Sequence, residues 1–265
     1  MSRLHHVAIV LRREGENLPT AVLENAFRQA GARVTVAEEE KEQNLEDVDL
    51  VVALGGDGTV LRALDTFPGR PVLAVNFGTV GFLTAGGRGE LDHMLSRLLT
   101  GDYLTSERLV LRCRLDGQEH HAVNEAAIKT SSRMIQVDVA VDGTPIRTIR
   151  GDGVIVGTPT GSTGYLLSSG SPVVMPDVHC FILDGLNEYN FSSRPLILSP
   201  DSQLLLKLHP LHPGQQAALL VDGKVVKELE EGDEIVLDRS PRVARLIFFE
   251  PNYFFHNLSS RLAWK

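Results

Sequence analysis

Over its first hundred residues the chain alternates short, almost continuously apolar runs with amphipathic ones, and this rhythm restricts the possible folds more than any other feature. HHVAIVL (5–11), RVTVAE (33–38), VDLVVAL (48–54) and PVLAVNF (71–77) read as strands. LPTAVLENAFRQAGA (18–32), TVLRALDTF (59–67) and ELDHMLSRLLTGD (90–102) have helical spacing, with Gly31 and Gly101 placed as stops. A strand that is apolar at successive positions must be covered on both faces, and strands joined through helices run parallel. The expectation over residues 1–102 is a Rossmann-like α/β domain built on a parallel sheet.

Beyond residue 103 the texture changes. LVLRCRL, HAVNEAAI, MIQVDVAVDG, PIRTIRG, VIVGTP, HCFILDG, QLLLKLH, AALLVDG, KVVKEL and DEIVLD are short, often alternating, and separated by Asp-Gly or Gly-Asp turns. Residues 103–238 are therefore expected to form a β-rich domain. The apolar ARLIFF (244–249) and amphipathic YFFHNLSSRLAW (253–264) mark 239–265 as a tail expected to return to the first domain.

The 265 residues suffice for two such domains. A formal net charge of −8 argues against a nucleic-acid or membrane-surface binder. It leaves room for a small anionic ligand, because backbone N–H groups bind phosphate without any lysine. Cys113 and Cys180 stand in apolar stretches and read as buried reduced thiols. With no leader-like segment and no membrane-length apolar run, a cytoplasmic protein is expected.

Three short constellations carry the chemistry. The first is Gly55-Gly56-Asp57-Gly58-Thr59, where the apolar strand stops. In open α/β sheets the turn at the carboxyl end of a strand borders the ligand crevice. Gly55, Gly56, Gly58 and Thr59 would let the main chain cradle a donor phosphate. Asp57 has a plain reading as a helix N-cap. A carboxylate among three glycines has a sharper one: it holds and deprotonates a hydroxyl, or binds a magnesium ion. G-x-x-x-x-G-K-[ST] is absent and no G-x-G-x-x-G is complete, so the common nucleotide loops are excluded.

The second constellation is RGDGVIVGTPTGSTGYLLSSGSP (150–172), a strand followed by a loop of threonines, serine and glycines. Its hydroxyls and N–H groups suit a sugar–phosphate, and Tyr165 suits stacking on a base. Ser162 lacks the glycine spacing of a nucleophile elbow, and a flexible surface loop is the plain alternative for 158–165. The third is Asn124-Glu125, whose carboxylate could accept both hydroxyls of a ribose, although for the pair taken alone an edge-strand turn is the better reading. The nine histidines show no metal-ligand spacing; His120-His121, His209 and His212 read as surface or loop residues.

Taken together, these stretches resemble the bacterial-type NAD kinases (ATP/polyphosphate NAD kinase family). The matching pieces are Gly55-Gly56-Asp57-Gly58-Thr59, Asn76-x-Gly78-x-x-Gly81-Phe82-Leu83, Asn124-Glu125, Gly151-Asp152-Gly153, Thr158-Pro159-Thr160-Gly161-Ser162-Thr163, and the ending Pro251-x-Tyr253-x-Phe255-x-x-Leu258-x-x-x-Leu262-x-Trp264. The glycine–aspartate turn alone is shared with diacylglycerol, sphingosine and 6-phosphofructo-kinases; joined to the TPTGST run it is specific. Gly164 departs from the family's usual alanine, and DGLNEYNFSSRP (184–195) lacks its usual Pro-His segment.

The resemblance implies a two-domain NAD kinase-like fold and phosphorylation of the adenosine ribose 2′-hydroxyl of NAD to give NADP. It implies ATP or another phosphoryl donor, a divalent metal ion (magnesium), and a homodimer or homotetramer. Carried over by position, Asp57 is the catalytic carboxylate and Gly58 approaches the dinucleotide. Arg62, Phe82, Asn124, Glu125, Thr160, Thr163, Gly164, Tyr165 and Ser168 bind NAD, with Tyr165 near the adenine. Arg150 and Asp152 reach the nicotinamide end of a ligand in the neighbouring subunit. Two other readings stay open on sequence grounds: a lipid kinase of the diacylglycerol type, and a non-catalytic dinucleotide sensor.

Overall fold

The computed structural model describes residues 4–12, 18–37, 47–78, 81–190 and 193–262. The chain divides into two compact units, residues 1–107 with 244–265, and residues 108–243. The first unit opens with β1 (His6–Leu11), α1 (Thr20–Gln29), β2 (Arg33–Ala37), β3 (Leu50–Leu54) and α2 (Asp57–Thr66). It continues through β4 (Pro71–Asn76), β5 (Gly86–Gly87), α3 (Leu91–Thr100) and β6 (Leu104–Arg108). The second unit supplies β7 (Leu111–Leu115), β8 (Gln118–Ala122), β9 (Glu125–Thr130), β10 (Ile135–Val141), β11 (Thr144–Gly151) and β12 (Gly153–Gly157). After α4 (Tyr165–Ser169) come β13 (Phe181–Leu186), β14 (Leu196–Leu198), β15 (Leu204–Leu208), β16 (Ala217–Val221), β17 (Lys224–Leu229) and β18 (Glu234–Arg239). β19 (Ala244–Phe248) and α5 (Tyr253–Leu262) belong again to the first unit.

The sheet of the first unit runs β2-β1-β3-β4-β19-β6, with β5 beside β4. β1 pairs in parallel with β2 and β3, and β4 with β3, β5 and β19. One face packs Val7, Ile9, Val52, Leu54, Leu73 and Val75 against Leu23 and Phe27 of α1 and Met94, Leu95 and Leu98 of α3. The alternate residues Ala8, Val51, Ala53 and Ala74 are buried as well, and α2 packs on β1, β3 and β4 through its buried Val60, Ala63 and Leu64. Both faces are thus covered, which is why these strands carry no polar alternation. α3 stops where Gly101 takes a left-handed φ of 77°.

The first unit extends to residue 107, beyond the expected boundary at 102, because LTSER (104–108) is a sheet strand too polar to read as one. The second boundary lies at 243 rather than 238, since β18 pairs with β7 as far as Arg239 and Ser240 N–H then donates to Val110 O at 2.9 Å.

In the second unit two six-stranded antiparallel sheets, β11-β10-β15-β18-β7-β8 and β14-β13-β12-β9-β16-β17, share one core. Leu111, Cys113, Val137, Val139, Leu206 and Leu237 of one meet Ile128, Val154, Val156, Phe181, Leu183 and Leu219 of the other. The far side of the second sheet is also closed. Ala127, Ile155 and Ile182 pack under Leu166 of α4 and the half-buried Tyr165. Central strands such as VIVG are therefore apolar throughout. Both cysteines are buried and free, and burial pushes the Cys113 thiol up to about 12.

Candidate active site

The register of the first sheet places the glycine–aspartate turn at its carboxyl edge. Leu11 pairs with Leu54 and Leu54 with Val75, while Asn76 pairs with Gly87. Arg12, Gly55, Asn76 and Gly87 therefore form one row across β1, β3, β4 and β5. Arg12 N–H donates to Leu54 O at 3.0 Å, and Gly55 N–H to Val75 O at 3.0 Å. The strand order reverses between β1 and β3, the usual place for a ligand in such sheets.

Gly56, not Asp57, is the N-cap of α2. The capping alternative for Asp57 is thereby excluded, and its carboxylate has another engagement. Oδ2 accepts the Phe82 N–H at 2.9 Å and Oδ1 the Leu83 N–H at 3.1 Å. A Cβ on Gly81 would overlap that carboxylate, so the glycine is what lets the 81–84 loop close on it. The loop is held in turn by α5. Asn257 Nδ2 donates to Thr84 O at 3.2 Å, and the Arg261 guanidinium lies 5.7 Å from the Phe82 ring centroid. Asp57 is fixed by two N–H donors yet only half-buried, and each oxygen keeps a second lone pair for a hydroxyl proton.

The three glycines of the turn do different things. A Cβ on Gly55 would overlap the Thr59 side chain, so the fold itself demands glycine there. At Gly56 and Gly58 a Cβ would meet nothing within 4 Å. Both are exposed, and bare main chain faces open space at the start of a helix whose first N–H groups lack partners within it. Arg62 Nη2 donates to Leu11 O and ties α2 to the end of β1. Beside the turn lies a cavity of about 180 Å³ lined by Arg12, Asn76, Phe77, Gly78, Gly87 and Arg88.

In the second unit Asn124 and Glu125 do not interrupt a strand; Glu125 begins β9, which lies between β12 and β16 and not at an edge. Asp222 organises them. Its Oδ2 accepts Val123 N–H at 2.9 Å, and its Oδ1 accepts Asn124 N–H at 2.7 Å and Glu125 N–H at 3.2 Å. Sequence reasoning missed Asp222 because Asp222-Gly223 is an ordinary hairpin dipeptide, and only its distant partners reveal the role. Asn124 Oδ1 and Glu125 Oε2 are both buried without a hydrogen-bond partner. Burial first, then the nearby Asp222 charge, push the Glu125 carboxyl up to about 7, against the lowering effect of the Tyr165 N–H. Buried, unpartnered acceptors on two adjacent residues suit a ligand that presents two donors, such as a vicinal diol.

The TPTGST run differs from the open donor loop expected of it. Residues 160–163 form a 3-10 turn leading into α4, and Thr158, Thr160 and Ser162 are buried. Thr158 Oγ1 donates to Val123 O at 2.5 Å and Ser162 Oγ to Pro159 O at 2.7 Å. Arg108 Nη1 donates to Thr160 Oγ1 at 3.3 Å, and Thr163 Oγ1 donates to Thr160 O at 3.1 Å. These hydroxyls build the scaffold, because a turn with few backbone bonds of its own must satisfy its carbonyls somehow. The turn packs so closely that a Cβ on Gly161 would overlap Asn124. At Gly164 a Cβ would stand 3.3–3.4 Å from Gly161 O, Asn124 Nδ2 and Glu125 Oε2, close enough that these neighbours would have to shift slightly. Tyr165 has the Lys129 ammonium 5.3 Å from its ring centroid, and Ser168 is exposed.

Arg150 and Asp152 are not brought to this cluster. Gly153 pairs with Lys129 and Gly157 with Glu125, so Asp152 lies a strand's length away, about 16 Å at 3.3 Å per residue. Asn187 Nδ2 holds Asp152 Oδ2 at 2.7 Å, and Arg150 is exposed. Gly151 and Gly153 are glycine for packing, since a Cβ on either would strike a neighbouring carbonyl. Of the segment 184–195, Asp184–Leu186 continue β13, and 191–192 lie outside the described residues, as does Trp264. The His121 side chain is nearly buried and bonds Ser240 and Glu119, which corrects its reading as a surface residue. No group of three or more His, Cys, Asp or Glu suited to a metal occurs among the described residues.

The model of the ATP-NAD kinase N-terminal domain matches residues 13–103, and that of the ATP-NAD kinase C-terminal domain residues 123–249. An NAD kinase of Thermococcus gammatolerans is 42% identical over 208 residues, covering 77% of this chain and 74% of the relative. One from Citrifermentans bemidjiense is 34% identical over 255 residues, 92% of this chain and 88% of the relative. Among solved structures, an Archaeoglobus fulgidus NAD kinase in complex with ATP superposes with a TM-score of 0.82 at 28% identity, over 98% of this chain and 100% of the other. Yeast NADH kinase complexed with NADH gives a TM-score of 0.89 at 24% identity, over 100% and 89%, a likeness of fold. With both halves matched in order, and with Asp57 set by two main-chain N–H groups at an open glycine turn, the chain belongs to the NAD kinase family.

Proposed function

We propose that this protein transfers the terminal phosphoryl group of ATP to the 2′-hydroxyl of the adenosine ribose of NAD, giving NADP and ADP. The observation that carries the reading is the Asp57 carboxylate, held by the Phe82 and Leu83 N–H groups beside the bare backbone of Gly56 and Gly58. Transfer proceeds through a loose transition state, so positioning and charge neutralisation supply most of the acceleration. Asp57 orients the hydroxyl and accepts its proton as the O–P bond forms and the ADP oxygen departs. Gly55, Gly56, Gly58 and Thr59 present main chain to the donor phosphates.

Asn124 and Glu125 take a diol of the dinucleotide with their vacant acceptors, and Gly164, Tyr165 and Ser168 line its adenosine. Thr160 and Thr163 act by shaping that turn, and Phe82 by lending its N–H to Asp57. Arg150 and Asp152 serve the nicotinamide end. Arg62 contributes through the end of β1.

A divalent ion such as magnesium, arriving with the donor, fits a site offering one carboxylate, Asp57, the rest of its shell coming from phosphate and water. Such an ion neutralises phosphate charge. We further infer a cytoplasmic homodimer or homotetramer. The net charge of −8 and the exposed Met134, Ile146, Tyr189, Ile197 and Val225 of the second unit support this, and light scattering of the purified chain tests it. No helix among the described residues is long and apolar enough to cross a membrane.

The test is incubation with NAD, ATP and magnesium, followed by assay for NADP. Asp57→Asn is expected to keep NAD affinity within a few-fold and lose about 10²–10⁴-fold in kcat, the usual range for a positioned acid–base group. Near-normal turnover in the Asp57→Asn variant removes this carboxylate from the mechanism.

A further inference from the structure

On the α4 side of the second sheet of the β-rich unit, a carboxylate stands where an apolar side chain would pack without any desolvation cost. Asp184 of β13 lies directly opposite Ile155 of β12, and it alternates along its strand with the buried Ile182 and Leu186. It is only 6% exposed. Its Oδ2 accepts both the Ser169 and the Ser171 hydroxyl, each at 2.8 Å, and its Oδ1 accepts the Gly185 N–H at 2.9 Å. A buried carboxylate is costly unless it is hydrogen-bonded, and here two of the three bonds come from the end of α4.

The helix that these bonds reach has five residues, too few to hold its own place in water. Leu166 is fully buried against Ala127, Ile155 and Ile182, which fixes the depth of α4 but not its rotation. Ser169 is three residues from Leu166 and shares its face, while Tyr165 and Ser168 share another. Holding Ser169 to the sheet therefore sets the direction of Tyr165 and Ser168. The Ser169 hydroxyl has one proton and three acceptors in reach: Asp184 Oδ2, Leu166 O at 2.8 Å and Ser171 Oγ at 3.1 Å. Without Asp184 that proton turns to Leu166 O inside the helix, and the tie to β13 is lost. Ser171 follows Gly170, whose φ of 88° ends α4, and is itself buried.

We propose that Asp184 is a positioning residue for the dinucleotide: through Ser169 and Ser171 it sets the rotation of α4, and with it the placement of Tyr165 and Ser168. The inference rests on the reading above that α4 lines the adenosine of NAD, and it extends that site to a strand residue acting at one remove. Asp57 and the glycine turn belong to the other unit, so the effect falls on NAD affinity and not on the chemical step.

The test is calorimetric binding of NAD to the full chain without ATP, beside steady-state kinetics in NAD and in ATP and thermal melting. Asp184→Ala is expected to weaken NAD binding and raise its KM about tenfold, the scale of a hydrogen bond to a charged group, with kcat and KM for ATP within about twofold. Asp184→Asn, whose amide oxygen still accepts both hydroxyls, should recover most of the affinity. Ser171→Ala should weaken NAD about threefold and add little to Asp184→Ala, because both changes remove the same tie. A merely structural role would lower the melting temperature and the active fraction, so that kcat falls while KM for NAD stays put; that result overturns the proposal. If Asp184→Ala does not fold, Ser171→Ala decides, and unchanged NAD affinity there also overturns it. A wild-type chain that binds NAD but makes no NADP, with the loss of NAD affinity in Asp184→Ala still present, supports the positioning role and sinks only the kinase reading.

Discussion

At the scale of single residues, the site depends on positions where one atom more or less changes the chemistry. Gly81 is the sharpest. Any Cβ there occupies the space of the Asp57 carboxylate, so Gly81→Ala must displace either that side chain or the loop donating to it. A misplacement of about 1 Å costs on the order of 10²-fold in rate. We expect that loss in kcat with the melting temperature lowered by only a few degrees; an alanine enzyme with full kcat would show that the Asp57–loop contact is dispensable. Glu125 gives a prediction in pH. Its carboxyl ionises near 7 in the fold instead of 4.5, chiefly through burial. Between those values the unfolded chain has released a proton that the folded chain still holds, so stability must fall as pH rises from about 4.5 and level off above about 7. At 1.36 kcal/mol per unit the span is on the order of 3 kcal/mol. Glu125→Gln removes the dependence, and the gap between variant and wild type in urea unfolding should widen from pH 5 to pH 8. Parallel curves would exclude a buried, raised Glu125. Asp57 was legible in sequence because a carboxylate among glycines has no easy structural excuse. Asp222 was not, since its dipeptide is what any hairpin uses.

At the scale of elements, the contact between α5 and the 81–84 loop is the one with consequences for turnover. Asn257 reaches Thr84 O, and Arg261 lies against Phe82, whose own N–H holds Asp57. α5 acts on the carboxylate at one remove. Asn257→Ala loses the Nδ2 hydrogen bonds to Phe82 O and Thr84 O, and about 1 kcal/mol of that, if expressed in loop placement, lowers kcat about fivefold. NAD affinity should not move, and Asn257→Gln should restore part of the rate; an equal loss in both kinetic constants would point to general destabilisation instead. The elements that sequence reading recovered and those it missed divide by burial. β3, β4 and β12 are enclosed on both faces and announce themselves as apolar runs. β6 (LTSER) and β8 (QEHHA) end their sheets, where one side of the strand meets water and polar residues are tolerated, while the apolar β14 is only three residues long and too short to show a pattern. α2 was read two residues short because Asp57 and Gly58 look like turn, yet a helix can begin on them when Gly56 caps it.

At the scale of the whole molecule, the chain leaves its first sheet after β6, builds a complete second unit, and only then supplies β19. That strand lies between β4 and β6 in the sheet order, with Leu246 and Ile247 buried. A sheet whose interior strand comes last cannot be finished until the far end of the chain arrives. A chain cut after residue 243 would therefore leave the edge of β4 that faces away from β3 open along Pro71–Leu73, and β6 with no neighbour on that side. It would also lack Asn257 and Arg261, which brace the loop on Asp57. Exposed β edges of this kind associate with one another. The second unit faces no such dependence. Its core is drawn entirely from residues between Leu109 and Leu237, and its length is well above the roughly 40 residues below which a core needs outside help. Two truncations separate the cases. Residues 108–243 alone should give a β-type circular dichroism spectrum and a single cooperative thermal transition. Residues 1–243 should keep that transition but lose the cooperative melting of the α/β unit, elute as aggregate, and form no NADP. A 1–243 chain that stays monomeric and turns over NAD would mean that the sheet closes without β19 and that α5 is not needed to set Asp57.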